Sequence, residues 1–163
     1  MIWGIIVLVI FAIVFLIYML YFKEYKEVMG NFQTLIKVLE TRDLLLMRIL
    51  PEIKDEKIKE ETAKLVEQRM KCKNAGCNNL IKSDVELNKQ LTITYQEIDK
   101  IKNELVREEF RKIVSLEKKL KIIRREYNKA VDKYNQNLVK HKKMCIKYLR
   151  MEPLDNYKIK EKE

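Results

Sequence analysis

The residues best suited to specific recognition are two tyrosine-asparagine pairs near the C-terminal end of the chain. Tyr127-Asn128 and Tyr134-Asn135 are seven residues apart, so on a helix the two tyrosines share one face and each asparagine lies beside its tyrosine. A tyrosine on the seam of a helical bundle buries its ring, and its hydroxyl then needs a hydrogen-bond partner. The repeat therefore predicts polar contacts between this helix and its surroundings.

Two charged residues extend the same helix toward the N-terminus. Arg124 precedes Tyr127 by three residues, and Glu117 precedes Arg124 by seven. We predict a polar network across helices, with two interpretations that the sequence leaves open. The network either binds a partner on the bundle, or its members satisfy one another and the tyrosine hydroxyls and so fix the helix register. The predicted interaction motif consists of Glu117, Arg124, Tyr127, Asn128, Tyr134 and Asn135.

Known signatures of enzymes are absent from the sequence. It contains one histidine and has no Gly-rich phosphate loop, no Gly-x-Ser-x-Gly motif and no His-Glu-x-x-His motif. We therefore expect a non-enzymatic protein with no catalytic residues, no cofactor and no small-molecule substrate.

Cysteine and histidine side chains raise a zinc site as a separate hypothesis. Cys72, Cys77, His141 and Cys145 carry the ligand types of a Cys₃His site. If the last two helices start level, the loop at Cys77 lies opposite residue 130, and His141 is about 15–20 Å further along at 1.5 Å per residue. We therefore predict no metal ligand, and a metal-dependent sensor is the least favoured function.

The N-terminal residues predict a transmembrane anchor over 1–22. Residues 2–22 contain no charged side chain, and about twenty helical residues cross a hydrocarbon core of about 30 Å. Trp3 at one end and Tyr21 at the other lie where aromatic belts occur. No basic residue precedes this run and no small-residue cleavage site follows it, which favours an uncleaved anchor over a signal peptide.

The distribution of basic residues predicts the orientation of this anchor. None precedes the apolar run, whereas Lys23 and Lys26 follow it directly. By the positive-inside rule we expect the N-terminus outside the cell membrane and the remainder in the cytoplasm. The net charge of +10 suits an anionic membrane surface, and no aromatic-and-basic stacking pattern indicates a nucleic-acid partner.

The remainder of the chain predicts an all-α fold. Three glycines and two prolines among 163 residues are typical of long helices. The apolar periodicity predicts an antiparallel up-and-down bundle of about four helices over 23–152, followed by a charged tail over 153–163.

The predicted boundaries between these helices rest on local signals. Helix one continues from the anchor to Leu46, and Pro51 starts helix two. A turn-rich loop covers 72–79, and Ser83 caps helix three, which extends to Leu105. A long final helix then covers roughly 108–149.

The end of the final helix is rich in basic residues. If helix four runs antiparallel to helix one, residue counts predict that Gln136 on helix four lies at the membrane plane, where the apolar segment of helix one ends. The segment 138–151 beyond this point either bends at the surface and binds acidic lipid or completes the bundle with solvated lysines. The candidate lipid contacts are Lys140, Lys142, Lys143, Lys147 and Arg150.

Over nearly its whole length the chain resembles the LemA family of bacterial membrane proteins. The most specific part of the resemblance is the helix that carries Glu117, Arg124 and the two Tyr-Asn pairs. The opening Met1-Ile2-Trp3-Gly4-Ile5-Ile6 and the tail from Tyr148 to Tyr157 are also similar. The chain departs from the family at Thr41-Arg42-Asp43-Leu44, where the expected nearby proline is displaced to Pro51.

The resemblance implies an anchored helical bundle in the bacterial cell membrane but no settled biochemical activity. We expect a scaffold or interaction protein with an unidentified protein partner and with membrane lipids, anionic ones included, around it. The alternative is an exported, membrane-tethered coiled-coil spacer of the phage-spanin or cell-division kind, whose bundle lies outside the cytoplasm.

Overall fold

The computed structural model describes residues 2–74, 76–140 and 152–157. This part of the chain forms four α-helices: α1 (Ile2–Ile49), α2 (Glu56–Lys71), α3 (Cys77–Asp99) and α4 (Glu104–Lys140). The long apolar N-terminal helix α1 packs antiparallel to the long C-terminal helix α4, and α2 packs on α3. The predicted all-α fold, with an apolar N-terminal helix and an antiparallel bundle of four helices, is confirmed.

Helix α1 is continuous through two different surroundings. Its first part exposes large apolar side chains, such as Trp3 (81% exposed) and Phe11 (70%). Burial begins at Tyr21, and Val28 is fully buried. Within the described residues, α1 is the one helix that is long and apolar enough to cross a membrane, a property that single membrane spans share with signal sequences.

The connection between α1 and α2 differs from the prediction. Pro51 lies in a 3₁₀ turn (Leu50–Glu52) and not in the first turn of α2. Asp55 is the residue that caps α2, because its Oδ1 accepts hydrogen bonds from the backbone N–H groups of Lys57 (3.0 Å) and Ile58 (3.2 Å). The prediction that Pro51 starts helix two is therefore wrong.

The start of α3 also lies earlier than predicted. Gly76 has a φ of 88°, a left-handed conformation that favours glycine, and α3 begins directly after it at Cys77. Ser83 is buried inside α3, where its Oγ donates to the Leu80 carbonyl oxygen (2.9 Å). The predicted cap at Ser83 and the predicted loop reaching residue 79 are wrong.

The turn between α3 and α4 is set by an asparagine that sequence periodicity does not reveal. Helix α3 ends at Asp99, and Asn103 Oδ1 accepts a hydrogen bond from the Leu105 N–H (3.1 Å) at the start of α4. Leu105 is 75% exposed in the first turn of α4, so the predicted extension of helix three to Leu105 is wrong. The predicted continuation of the final helix to residue 149 lies outside the described residues.

The hydrophobic core of the described residues consists of two clusters. The first lies near the apolar end of the bundle and includes Val28, Leu35, Leu39, Leu80, Leu120, Tyr127 and Tyr134. The second lies at the opposite end and includes Leu46, Ile49, Val66, Leu87, Leu91, Ile98 and Ile113. On α1, α3 and α4 alike, charged residues occupy the chain positions between the two clusters.

The register of α4 on α1 agrees with the register predicted from residue counts along the two helices. The Tyr21 hydroxyl donates to the Asn137 carbonyl oxygen (2.5 Å), and Asn137 Nδ2 donates to Glu24 Oε1 (2.6 Å). Asn137 therefore lies level with the end of the apolar segment of α1. The prediction that helix four reaches this level near Gln136 is confirmed.

Candidate functional site

A buried arginine lies at the centre of the charged layer between the two core clusters. Arg42 on α1 is fully buried, and its guanidinium contacts carboxylates on three sides. Its Nη2 lies 2.5 Å from Asp84 Oδ1 on α3, and its Nη1 lies 3.1 Å from Glu117 Oε1 on α4. Its Nε lies 3.2 Å from Oδ1 of the adjacent Asp43. One side chain thereby joins three helices.

Two further arginines complete the charge balance. Arg69 on α2 is fully buried and donates from its Nε to Asp43 Oδ2. Arg124 on α4 donates from its Nη2 to Asp84 Oδ2 (3.2 Å). We define the ionic layer as Arg42, Asp43, Arg69, Asp84, Glu117 and Arg124. Its three guanidinium groups face three carboxylates, and all four helices contribute to it.

Neutral side chains on α3 donate further hydrogen bonds to carboxylate oxygens that the arginines of the layer also contact. Asn88 Nδ2 donates to Asp84 Oδ2 (2.7 Å), and the Tyr95 hydroxyl donates to Glu117 Oε1 (3.1 Å). Burial, together with the Glu117 charge, raises the pKa of Tyr95 well above its ordinary value. The Tyr95 hydroxyl therefore keeps its proton and remains a donor.

Burial and neighbouring opposite charges act against each other on Arg42, Asp43 and Arg124. Burial alone lowers the pKa of Arg42, but the surrounding carboxylates, Asp84 foremost, outweigh it and hold that pKa above the ordinary value. Burial raises the pKa of Asp43 against the attraction of Arg42 and Arg69. It lowers the pKa of Arg124, and Asp84 offsets this only in part. The carboxylates therefore compensate the burial of Arg42 more fully than that of Arg124.

A second polar site lies along α4 on the side next to α3, where an extended segment of the chain is bound. Residues 152–157, here called the strap, run antiparallel to α4. Asn135 Nδ2 donates to the Leu154 carbonyl oxygen (2.8 Å), and Asn135 Oδ1 accepts from the Leu154 N–H (3.1 Å). Asn128 pairs in the same way with Tyr157, at 2.9 Å to its carbonyl and 2.6 Å from its N–H. Each amide satisfies both polar groups of one strap residue.

The tyrosine hydroxyls of the repeat bind the strap as well. The Tyr127 hydroxyl donates to the Asp155 carbonyl oxygen and the Tyr134 hydroxyl to the Glu152 carbonyl oxygen, each at 3.3 Å. We define the Tyr-Asn clamp as Tyr127, Asn128, Tyr134 and Asn135. Its four side chains direct their polar atoms to the main chain of the strap.

Two strap side chains enter the bundle. Leu154 is half-buried and packs against the first core cluster, and Tyr157 is 3% exposed within it. The Arg124 guanidinium carbon lies 4.8 Å from the centroid of the Tyr157 ring, a cation–π contact. Arg124 therefore belongs to the ionic layer and also contacts the strap.

The structure divides the predicted interaction motif into these two sites. Glu117 and Arg124 lie in the ionic layer, 3.7 Å apart between their closest charged atoms. The four clamp residues bind the strap, so the tyrosine hydroxyls are engaged by carbonyl groups from 18 to 28 residues away and not by Glu117 or Arg124. The strap, which lies where the sequence predicts the start of the charged tail, is therefore the partner of the two Tyr-Asn pairs.

Sequence reasoning missed most of the ionic layer, although a signal exists. Phe32, Leu35, Leu39, Arg42, Leu46 and Ile49 follow one another at spacings of three and four, and all are buried. A charged residue at such a position is forced into the core when its helix packs. The same spacing places Asp84 among the core residues of α3.

Most of the candidate lipid contacts and two of the candidate metal ligands lie outside the described residues. Lys140 is exposed at the end of α4, whereas Lys142, Lys143, Lys147 and Arg150 lie outside the described residues. His141 and Cys145 lie outside them too. Cys77 is buried, with its Sγ 3.9 Å from Met29 Sδ, and burial raises the pKa of its thiol.

Comparison with known proteins gives no relative. No family model, no curated protein and no solved structure matches this chain. The class of protein is therefore defined by the fold and its sites: a four-helix bundle with one long apolar N-terminal helix, a buried ionic layer and a clamped C-terminal strap.

Proposed function

We propose that this protein is a non-enzymatic scaffold or interaction module, anchored in a bacterial cell membrane by the start of α1 and similar in plan to the LemA proteins. The observation that carries this proposal is the continuity of α1 from Ile2 to Ile49. At 1.5 Å per residue its 48 residues extend about 72 Å, enough to cross about 30 Å of hydrocarbon and continue through the bundle. Anchor and bundle thus share one helix without a linker.

Contacts at the end of the apolar segment support a bundle that begins at the membrane surface. Tyr21, Glu24 and Asn137 join α1 to α4 by hydrogen bonds at this level. Lys133 and Glu27 add an exposed ion pair one turn further along (3.4 Å). Because two helices are joined here, the bundle is held at a fixed orientation to the anchor.

The state of the polar groups supports binding or scaffolding over catalysis. The charges of the ionic layer neutralise one another inside the core, where such groups specify helix packing. The clamp residues are engaged with the strap main chain. Recognition of an extended peptide segment is the chemistry that this arrangement performs.

The orientation of the proposed anchor follows from the basic residues after it. With Lys23 and Lys26 on the inner side, the N-terminus lies outside and the bundle in the cytoplasm, facing anionic lipid headgroups. The exported spacer is the competing proposal, and it requires the opposite orientation.

Topology is the experiment that tests the proposal. Cys77 is 8% exposed and unsuited as a reporter, so we choose Lys102, which is exposed in the turn between α3 and α4. Two variants lacking the native cysteines carry one cysteine each, either ahead of Ile2 or as Lys102→Cys. A membrane-impermeant thiol reagent is added to intact cells and to lysed cells.

We expect the N-terminal cysteine to react on intact cells and Lys102→Cys to react only after lysis. Reaction of Lys102→Cys on intact cells would reject a cytoplasmic bundle and favour the exported spacer. The mass of the membrane-extracted protein decides between anchor and signal sequence. We expect the mass of the uncleaved chain, and loss of the first 22 residues would refute the anchor.

A further inference from the structure

The Tyr-Asn clamp recognises main chain and not side chains. Its six hydrogen bonds to the strap all end on backbone N–H or C=O groups. Each asparagine makes two of them, Asn128 with Tyr157 and Asn135 with Leu154. Each tyrosine makes one, Tyr127 with Asp155 and Tyr134 with Glu152. Peptide sites that add an extended segment use main-chain hydrogen bonds for affinity and pockets for specificity. Here the specificity comes from Leu154 and Tyr157, three residues apart.

The groove that holds the strap is built by other parts of the chain. The four clamp residues lie on α4, and Asn78 on α3 accepts the Asp155 N–H through its Oδ1 (3.2 Å). Helix α4 packs along α1, which holds the clamp residues in place. The groove is therefore complete for any segment with the same backbone path and the Leu-x-x-Tyr pattern.

The strap itself is attached in a way that permits exchange. It has no helix or strand structure of its own, and Glu152, Pro153 and Asp155 are exposed. Short terminal segments of this kind open at a small fraction of the free energy of global unfolding. Eleven residues connect it to Lys140, a length that spans up to roughly 35–40 Å when extended, several times the diameter of a helix.

We propose that the Tyr-Asn clamp also binds the strap of a second copy of this chain, so that two copies exchange residues 152–157. The occupant is identified by fit, since the strap already occupies an identical groove in its own chain. Reciprocal exchange joins the same surface of both copies and closes as a two-fold symmetric dimer. Within one chain the tether gives an effective concentration of about millimolar order, so exchange increases with the local density of copies.

Two complementary variants of the full chain, both without native cysteines, isolate exchange between copies. The first carries Leu154→Ala and Tyr157→Ala, which leave its clamp intact. The second carries Asn128→Ala and Asn135→Ala, which leave its strap intact. Each variant is weakened in closing on itself, the first by loss of the two inserted side chains and the second by loss of four of the six clamp hydrogen bonds. Together they hold one unchanged clamp and one unchanged strap.

A disulfide reports the exchanged contact. Asn156 Nδ2 lies 2.7 Å from Asp132 Oδ1, so Asp132→Cys is added to the first variant and Asn156→Cys to the second. The variants are reconstituted together into lipid vesicles and oxidised mildly. As a matched control, Lys102→Cys replaces Asp132→Cys in the first variant, at an exposed position remote from the clamp.

We expect a disulfide-linked dimer of the two variants at a yield about tenfold above the control, a difference equivalent to about 1.4 kcal/mol. A yield equal to the control, with both variants showing helical circular dichroism and cooperative melting, would refute exchange. If either variant does not fold, the cysteines are placed singly in otherwise unchanged chains. A linked dimer above the control then supports exchange, and its absence refutes it.

Discussion

Replacing Arg42 with methionine removes the central cation of the ionic layer and keeps a flexible side chain of similar length in the core. The carboxylates of Asp43 and Asp84 are fully buried, and each retains one other guanidinium partner, Arg69 and Arg124 respectively. Removal of one partner from a buried ion pair costs about 3–5 kcal/mol, because the remaining charge stays buried without full compensation. We expect Arg42→Met to lose a free energy of unfolding of this size.

Thermal unfolding of the full chain in mild detergent, followed by circular dichroism, measures the effect. For a chain of this size 1 kcal/mol corresponds to about 2–4 °C, so the melting temperature should fall by roughly 6–20 °C. Arg111→Met is the matched control, because Arg111 also pairs with a carboxylate, Glu104, at 3.4 Å. Both side chains of that pair are more than two-thirds exposed, and we expect little change in the melting temperature there.

A second substitution separates lost charge balance from lost packing. Adding Asp84→Asn to Arg42→Met removes a carboxylate that the first change leaves in excess, and the double variant should regain part of the stability. If Arg42→Met melts within about 2 °C of Arg111→Met, the buried carboxylates do not depend on Arg42 and our reading of the ionic layer is refuted.

Two further predictions concern the strap and the basic segment. Replacing Asn128 and Asn135 together with alanine removes four hydrogen bonds to the strap, so the backbone N–H groups of Leu154 and Tyr157 should exchange their hydrogens with solvent several-fold faster than in the unchanged chain. Gln96→Ala, on the exposed face of α3, is the control, and equal rates in both variants would contradict the clamp. In a variant lacking residues 2–22, glutamine at Lys140, Lys142, Lys143 and Lys147 should weaken binding to anionic vesicles by up to about a thousandfold, because each charge contributes about 1 kcal/mol and about 1.4 kcal/mol is tenfold. Unchanged binding would refute lipid contact.

Periodicity predicted the parts of the fold that are governed by burial alone. The seam of α4, from Ile113 through Leu120 and Tyr127 to Tyr134, is buried along its length. The level at which α4 meets Tyr21 followed from residue counts, because an α-helix advances by a constant distance per residue. Helix boundaries were less accurate because single capping side chains, Asp55 and Asn103, decide them.

The ionic layer and the strap lie beyond what periodicity describes. Arg42 and Asp84 sit at core positions, yet their type favours the surface unless partners on other helices are known. The hydrogen bonds from the clamp to the strap all end on the strap main chain, and the two inserted side chains, Leu154 and Tyr157, are too few to form a periodic pattern. The repeat at Tyr127 and Tyr134 indicated that a partner was needed but not that it lay within the same chain.

Arg124 connects the two sites, because its Nη2 binds Asp84 while its guanidinium faces the Tyr157 ring. With the strap in place the Arg124 side chain is 12% exposed, so release of the strap would hydrate the outer edge of the ionic layer. Occupation of the clamp and packing of the four helices are then linked equilibria. Any segment that fills the clamp stabilises the folded bundle by mass action, and a loosened ionic layer weakens the clamp by the same free energy.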